Sequence, residues 1–320
     1  MKVLVTGATG LVGSEIVNLC KQNNISVNYL TTSRNKIVSQ TDYNGYYWNP
    51  SKNEIDVDCF EGVTAIINLA GTSISKRWTK NNKKKILNSR VDSLRTLLGA
   101  IPEDGMHGIK IIVSASAIGI YPNSLSQYYK EDEVNIDNSF LGEVVSTWEK
   151  EVDAFEKVNI KTAKIRIGLV VSNKGGALPE IAKPIKCYLG ASLGSGNQWQ
   201  SWIHLHDLGR IFLHVMTKEL TGIFNGVAPN PVTNVKLTKE LAGVLEKPLF
   251  LPNIPKTVMR LVLGEMSYLL FVSQRVSCKK IENSGFDFIY PNICRALENI
   301  YKEKGEHRTQ DTLYQNEFIS

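Results

Sequence analysis

Residues 6–13 read TGATGLVG, directly after the apolar run KVLVT (2–6), and their three glycines, Gly7, Gly10 and Gly13, stand three positions apart. A glycine triplet alone only makes turns. Between a first strand and a first helix each glycine has its own reason: one permits the tight turn, the next lets the main chain approach a pyrophosphate, and the third lets the helix pack on the strand. The free N–H groups at the helix start then face phosphates. Gly7, Thr9, Gly10, Leu11, Val12 and Gly13 are therefore the expected dinucleotide contacts. The fold class that follows is α/β, a doubly wound parallel sheet.

The pattern continues outward from that turn. Residues 11–23 carry a helical pattern and SVNYLTT (26–32) reads as a second strand. VTAIINLA (63–70), IKIIVSAS (109–116) and IKTAKIRIGLVV (160–171) are continuous apolar runs, separated by helices expected at 79–101 and 140–158. Strands apolar on both faces, alternating with helices, imply a parallel sheet covered on both sides, the Rossmann arrangement. The expected division is a dinucleotide-binding domain over 1–170, with returning segments at about 200–225. A smaller α+β substrate lobe takes 171–303, including a C-terminal domain at about 250–298. VMRLVLGEMSYLLFV (258–272) is too short and too charged to span a membrane, with Arg260 and Glu265 inside it, and reads as one buried helix. Residues 304–320 read as a polar, flexible tail.

Composition excludes several classes. Hydrophobic content of 42% and charged content of 21% are those of an ordinary globular chain. Five scattered cysteines with no CxxC spacing argue against a disulfide framework. The first residues enter a strand-like run with no signal-peptide pattern, so a cytoplasmic location is expected. The net charge of +6 is concentrated in KRWTKNNKKKILNSR (76–90), which holds seven basic residues and no acid. Leu87, Val91, Leu94, Leu98 and Ile101 follow at helical spacing, so the lysines fall on a solvated face and nucleic acid is not an expected partner. The expected partner is a small-molecule substrate, with no membrane; a homodimer stays open as an assembly.

The choice of dinucleotide turns on the end of the second strand. An acidic residue there suits a free ribose, and a basic one suits a 2′-phosphate. The sequence YLTTSRNKI supplies Ser33, Arg34 and Lys36, with no acid before Asp42. NADP(H) is expected over NAD(H), with NAD the alternative.

With these residues in view the chain resembles an extended short-chain dehydrogenase/reductase, and more specifically the atypical epimerase-like family described as nucleoside-diphosphate-sugar epimerases. TGATGLVG is similar to that family's cofactor loop. NLAG (68–71) is similar to its cofactor-lining fourth strand, which implies contacts from Leu69, Ala70 and Gly71, with Ser114 on the next strand. RWTKNNKKKILNSRV (77–91), SASAIGIY (114–121), FLGEV with Trp148-Glu149, and GSGNQWQSWIHLHD (194–207) match further blocks. The segment LPNIPKTVMRLVLGEM…SQRV…GFDFIYP (251–291) resembles the uncharacterised C-terminal domain attached to this family. Ser277-Cys278 departs from it where a proline would stand.

The superfamily's chemistry uses a tyrosine and a lysine one helical turn apart. None of the twelve tyrosines here has lysine four residues later, and the matching helix carries Phe140 and Val144. Ser116 matches the superfamily's serine, and Arg90 stands where its helix asparagine would be. Candidate catalytic groups are therefore Ser116, Glu143 as a stand-in acid, and Arg90, which could hold a substrate carboxylate or phosphate or pair with Glu143. An apolar-walled pocket is expected, lined by Phe140 with Ser116, Arg90 and Glu143 at its edge. Tyr121 and Tyr128-Tyr129-Lys130 are further sources of a phenol. Gln198, Trp199, Gln200 and Ser201 mix flat apolar surface with hydrogen-bonding groups, as a ring-containing polar ligand requires. His204 and His206 lack a third ligand at any recognisable spacing, so no metal is expected and hydrogen bonding with Asp207 is the better reading. The expected function is an NADP-binding, epimerase-like oxidoreductase acting on a nucleotide-sugar or another ring-containing polar metabolite. The alternative is a non-catalytic NADP(H)-binding regulator, the missing tyrosine–lysine pair being its main support.

Overall fold

The computed structural model describes residues 1–101 and 108–302. The expected flexible tail, 304–320, lies outside the described residues. Seven parallel strands form the central sheet: β1 (Lys2–Thr6), β2 (Ser26–Thr31), β3 (Tyr43–Asn49), β4 (Ala65–Asn68), β5 (Ile111–Ala117), β6 (Lys161–Ile167) and β7 (Gly222–Gly226). Their spatial order is β7-β6-β5-β4-β1-β2-β3, with short antiparallel pieces against β3 at the edge. The chain thus builds outward from β1 in one direction, then returns to β4 and builds in the other. Helix α1 (Leu11–Gln22) crosses from β1 to β2, and α2 (Lys80–Gly99) crosses from β4 to β5. Right-handed crossovers in opposite directions put these helices on opposite faces. Helix α3 (Phe140–Asp153) packs beside α2, and α5 (Leu205–Thr217) packs beside α1, completing the two layers.

Double coverage explains the strand composition. Ala65, Ile66, Ile67, Ile111, Ile112 and Val113 have no exposed surface. Each fully buried aliphatic of the Val or Ile size contributes about 1.5–3 kcal/mol. A second core gathers around Trp202, Leu237, Leu241 and Leu297, under α4 (Ala177–Lys186) and α6 (Asn234–Val244).

Two expectations need correction. The run 160–171 is not one strand. At Gly168 the main chain of Ser201 passes so close that an added Cβ would lie 2.3 Å from its carbonyl oxygen. The chain therefore leaves β6 there, and Leu169–Val171 pairs instead with Trp202–His204. The run 258–272 is not one buried helix either. Helix α7 (Lys256–Leu263) stops at Gly264, whose φ of +61° ends it, and none of its residues is buried. Leu261 is 83% exposed. Only the turn that follows packs inward, through Met266, Tyr268 and Leu269 against Trp78 and Phe140. Among the described residues no helix is long and apolar enough to cross a membrane.

Candidate functional site

The order of the strands reverses between β1 and β4, and the crevice beyond their carboxyl ends is where open parallel sheets take ligands. Three side chains tie these strand ends together. Thr6 donates its hydroxyl to Asn68 Oδ1 at 2.8 Å and accepts the N–H groups of Leu69 and Ala70 at 2.9 and 3.0 Å. Asn68 in turn donates to Ser114 Oγ at 2.9 Å. This rail, which sequence reading missed in Thr6 and Asn68, holds the loop 69–71 against the glycine turn. Ser114 serves it from a fully buried position, so its hydroxyl does not face the crevice.

The turn itself is built by steric necessity. Gly7 has φ +68°, and a Cβ on Gly13 would lie 2.1 Å from the Gly7 carbonyl oxygen. Helix α1 therefore starts in direct contact with the turn, and its first regular bond runs from Ser14 N–H to Gly10 O. Among the described residues the N–H groups of Leu11, Val12 and Gly13 find no main-chain acceptor. Thr9 and Gly10 are exposed beside them. Free N–H groups and the helix dipole make this an anion cradle. It fits a pyrophosphate.

At the tip of β2, Ser33 caps a short turn Arg34–Lys36. Arg34 is exposed and lies over the Tyr47 ring at 4.0 Å, which holds its guanidinium beside the strand end. Lys36 is exposed on the same turn, and its carbonyl accepts from Tyr29 Oη at 2.7 Å. No acid stands on this turn, so the residues fit a 2′-phosphate.

Of the four groups expected around one pocket, Phe140 and Glu143 line one open cavity, and Ser116 and Arg90 are not among its lining residues. Phe140 opens α3, but its ring packs edge-on against Trp78 at 5.2 Å, in a cluster with Val144, Leu141 and the C-terminal residues Met266, Tyr268 and Leu269. Glu143 is exposed and lines an open cavity of about 340 Å³ with Lys83, Asp137 and the edge of Phe140. Among the described residues it makes no pair with Arg90, whose side chain is held by the Thr72 and Ile86 carbonyls. Ser116 is 2% exposed and donates at 2.6 Å to Glu149, which holds Arg166 through two bonds of 2.9 Å. Arg166 also donates to Tyr121 Oη at 3.0 Å, and that hydroxyl donates to Asn225 at 2.7 Å. Burial pushes the Tyr121 phenol up to about 12, with the Arg166 charge opposing. Ser116 and Tyr121 are thus committed to a sealed ionic network rather than to a ligand surface.

Arg90 is placed differently. Both of its hydrogen bonds come from Nη1, to the carbonyls of Thr72 at 3.2 Å and Ile86 at 2.9 Å. Its guanidinium lies 4.9 Å from the Trp148 ring centroid. Burial lowers its pKa to about 10.

The expected substrate residues divide as well. Gln198 and Ser201 are buried and bind main chain: Gln198 donates to Leu193 O and Leu270 O, and Ser201 bonds Gln274 O and Val276 N–H. They fasten the C-terminal segment and do not face a cleft. Trp199 and Gln200 keep partial exposure; Trp199 donates to Leu125 O at 3.0 Å and carries Arg275 over its ring. Trp202 is core. His206 pairs with Glu15 of α1 at 2.7 Å, and His204 accepts the His206 N–H as the cap of α5. Among the described residues Asp207 makes no hydrogen bond to either histidine. It accepts the N–H groups of Ile289 and Tyr290 instead. Among the described residues no group of three or more potential ligands could hold a metal.

Known proteins resemble this chain along most of its length. Residues 3–225 match the NAD dependent epimerase/dehydratase family, and residues 254–300 match a domain of unknown function. An epimerase family protein of Staphylococcus saprophyticus is 35% identical over 302 residues, covering 93% of this chain and 98% of its own length. One from Staphylococcus aureus is 36% identical over 305 residues, covering 94% and 99%. The crystal structure of the human epimerase family protein SDR39U1 with NADPH superposes with a TM-score of 0.80 at 25% identity, over 95% of this chain and 100% of that one. A nucleoside-diphosphate sugar epimerase from Corynebacterium glutamicum gives 0.75 at 25% identity, over 94% of this chain and 58% of that one.

Proposed function

Since the chain belongs to the NAD dependent epimerase/dehydratase family, we propose that it binds NADP(H) at the β1–α1 turn and transfers hydride to or from a ring-containing polar metabolite of the nucleotide-sugar kind. The observation that carries the cofactor choice is Arg34, held over Tyr47 at the end of β2 with Lys36 beside it and no acid on the turn. A 2′-phosphate placed there gains charge-assisted hydrogen bonds that a free ribose does not. The human relative described with NADPH supports the same choice. Gly7, Gly10 and the first N–H groups of α1 receive the pyrophosphate, and Leu69, Ala70 and Gly71 wall the crevice on the β4 side. The bound nicotinamide supplies the hydride chemistry. What this chain adds is position, exclusion of water and charge.

Neither Phe140 nor Val144 can move a proton, Ser116 is sealed and Glu143 faces an outer cavity. Within the first turn of α3 only Glu143 is ionisable. The same fact favours a second reading, a non-catalytic NADP(H)-binding regulator. One experiment separates them. Titrate the protein with NADPH and NADH by fluorescence, then load it with NADP⁺, incubate it with a panel of UDP-hexoses and UDP-hexuronates deuterated at the ring carbons that bear hydroxyls, and follow nicotinamide absorbance and deuterium transfer from sugar to cofactor. Tighter NADPH binding with label transfer supports the enzyme. Tight NADPH binding with no transfer across the panel favours the regulator, and equal affinity for both cofactors refutes the NADP assignment.

A further inference from the structure

Among the described residues Arg90 keeps a buried side-chain nitrogen, Nε, without a hydrogen-bond partner. A Cβ built on Gly71 would lie 3.1 Å from the guanidinium carbon and 3.3 and 3.4 Å from its two terminal nitrogens. Near-equal distances mean that Gly71 covers the face of the guanidinium. The guanidinium also lies over the Trp148 ring, 4.9 Å from its centroid. The guanidinium thus has an exposed loop glycine and a buried indole as neighbours, and its hydrogen bonds leave from its edges. One edge is occupied, since Nη1 holds the Thr72 and Ile86 carbonyls. The other edge, Nε with Nη2, has no acceptor among the described residues, and Nε is buried without a partner. The indole N–H of Trp148 is likewise buried and unpartnered. No carboxylate pairs with this arginine, and burial alone accounts for its lowered pKa.

A buried, uncompensated guanidinium is costly, and chains keep one where a ligand supplies the missing charge. The free edge is the one that carboxylates engage in parallel, two-bond fashion. We propose that Arg90 is an anion receptor at the wall of the cofactor crevice, and that the substrate carries a carboxylate, or an equivalent anionic oxygen pair, beside its reacting carbon. This rests on the proposed dinucleotide site, because Gly71 is exposed on the loop that walls it. The cofactor's own phosphates are met elsewhere, at α1 and Arg34, so the anion is the substrate's. Within a nucleotide-sugar class the inference selects acid sugars over neutral ones.

The test uses acetate as the probe and acetamide as its neutral isostere, titrated at constant ionic strength into full-length ¹⁵N-labelled protein with and without NADPH. The arginine Nε–Hε correlations are followed, Arg90 being the one that disappears in Arg90→Lys. The expected result is a saturable Arg90 shift with a dissociation constant on the order of millimolar, with acetamide at least about tenfold weaker. Arg90→Lys should hold NADPH within about threefold of wild type, as independent contacts do. A non-saturating shift, an equal response to acetamide, or a tenfold loss of NADPH affinity in Arg90→Lys overturns the proposal; the last result would mean that Arg90 serves the cofactor or only props the Gly71 loop. If Arg90→Lys does not fold, the Gly71 and Thr72 amide shifts in the wild-type acetate and acetamide titrations still decide. Failure to bind NADPH would refute the cofactor reading alone, since the acetate titration also runs on unloaded protein.

Discussion

Replacing Glu149 by alanine tests whether the sealed network under β5 and β6 is structural. Ser116, Arg166 and Glu149 are 2, 4 and 7% exposed, so none of their charges is relieved by solvent. Glu149 receives two bonds from Arg166 and one from Ser116. Its removal leaves a buried guanidinium with only the Tyr121 hydroxyl, and breaking a buried pair from one side costs about 3–5 kcal/mol. Ser116→Ala removes one hydrogen bond to a charged group, about 1.5–3 kcal/mol, and leaves the ion pair intact. Replacing both charges, Glu149→Met with Arg166→Met, should cost less than Glu149→Ala alone, because no charge is then stranded. Urea denaturation monitored by circular dichroism measures all three, with NADPH titration as the functional control. A loss below about 1 kcal/mol in Glu149→Ala would refute the buried-pair reasoning. A Ser116→Ala variant of full stability and unchanged NADPH affinity, but with turnover reduced by about 10²-fold or more, would show instead that Ser116 is a proton-handling group.

Arg34→Ala should weaken NADPH by about tenfold and leave NADH nearly unchanged, measured by fluorescence titration, since only one of them carries the 2′-phosphate. Gly10→Val should lose dinucleotide binding yet stay folded, because Gly10 is exposed and its Cβ direction meets only the Gly7 carbonyl at 3.2 Å. Gly13→Ala, 2.1 Å from that oxygen, should lose stability as well, by about 1–3 kcal/mol or more in thermal unfolding. Burial holds the His204 imidazole down at about 4 from an ordinary 6.5, so the unfolded chain takes up a proton that the native one refuses. Stability should therefore fall as the pH drops from 6.5 toward 4, by about 2 kcal/mol between pH 7 and 5, and His204→Gln should flatten that slope in chemical denaturation.

What the sequence carried locally was legible. The glycine turn and the basic turn after β2 each depend on residues within a few positions, and the sheet followed from continuous apolar runs separated by helical patterns. What depended on distant pairs was not. Thr6 and Asn68 are polar residues inside buried strands, and nothing in the sequence says that they bond to each other across 62 positions. The network through Ser116, Glu149, Arg166 and Tyr121 joins four separate elements, so Ser116 reads from sequence only as a match to the superfamily's serine. Gln198 and Ser201 read as ligand contacts for the same reason; their partners, Leu270 and Gln274, lie more than 70 residues on. The run 258–272 misled because apolar content cannot register a break at a single glycine with positive φ.

The loss of the tyrosine and lysine from α3 is better understood as a change of three positions than of two. Val144 is 2% exposed among Trp78, Ile86 and Leu141, where an ammonium would have no partner and no water. Phe140 fills the adjoining place and receives the C-terminal turn at Met266, Tyr268 and Leu269. The first turn of α3 has thus become the seat that fastens the C-terminal domain to α2. A cation nevertheless stands one helical turn further on, where Arg90 reaches across from α2 to lie over Trp148. The nearby positive charge stands on α2, in a side chain that cannot give up its proton at neutral pH and offers a planar fork. Such a group cannot help a phenol to ionise, and there is no phenol at residue 140 for it to help. It can hold an anion. Apolar packing at 140 and 144 and a buried Nε without a partner at Arg90 are therefore compatible features of one arrangement, in which neither residue 140 nor residue 144 offers a group that transfers a proton.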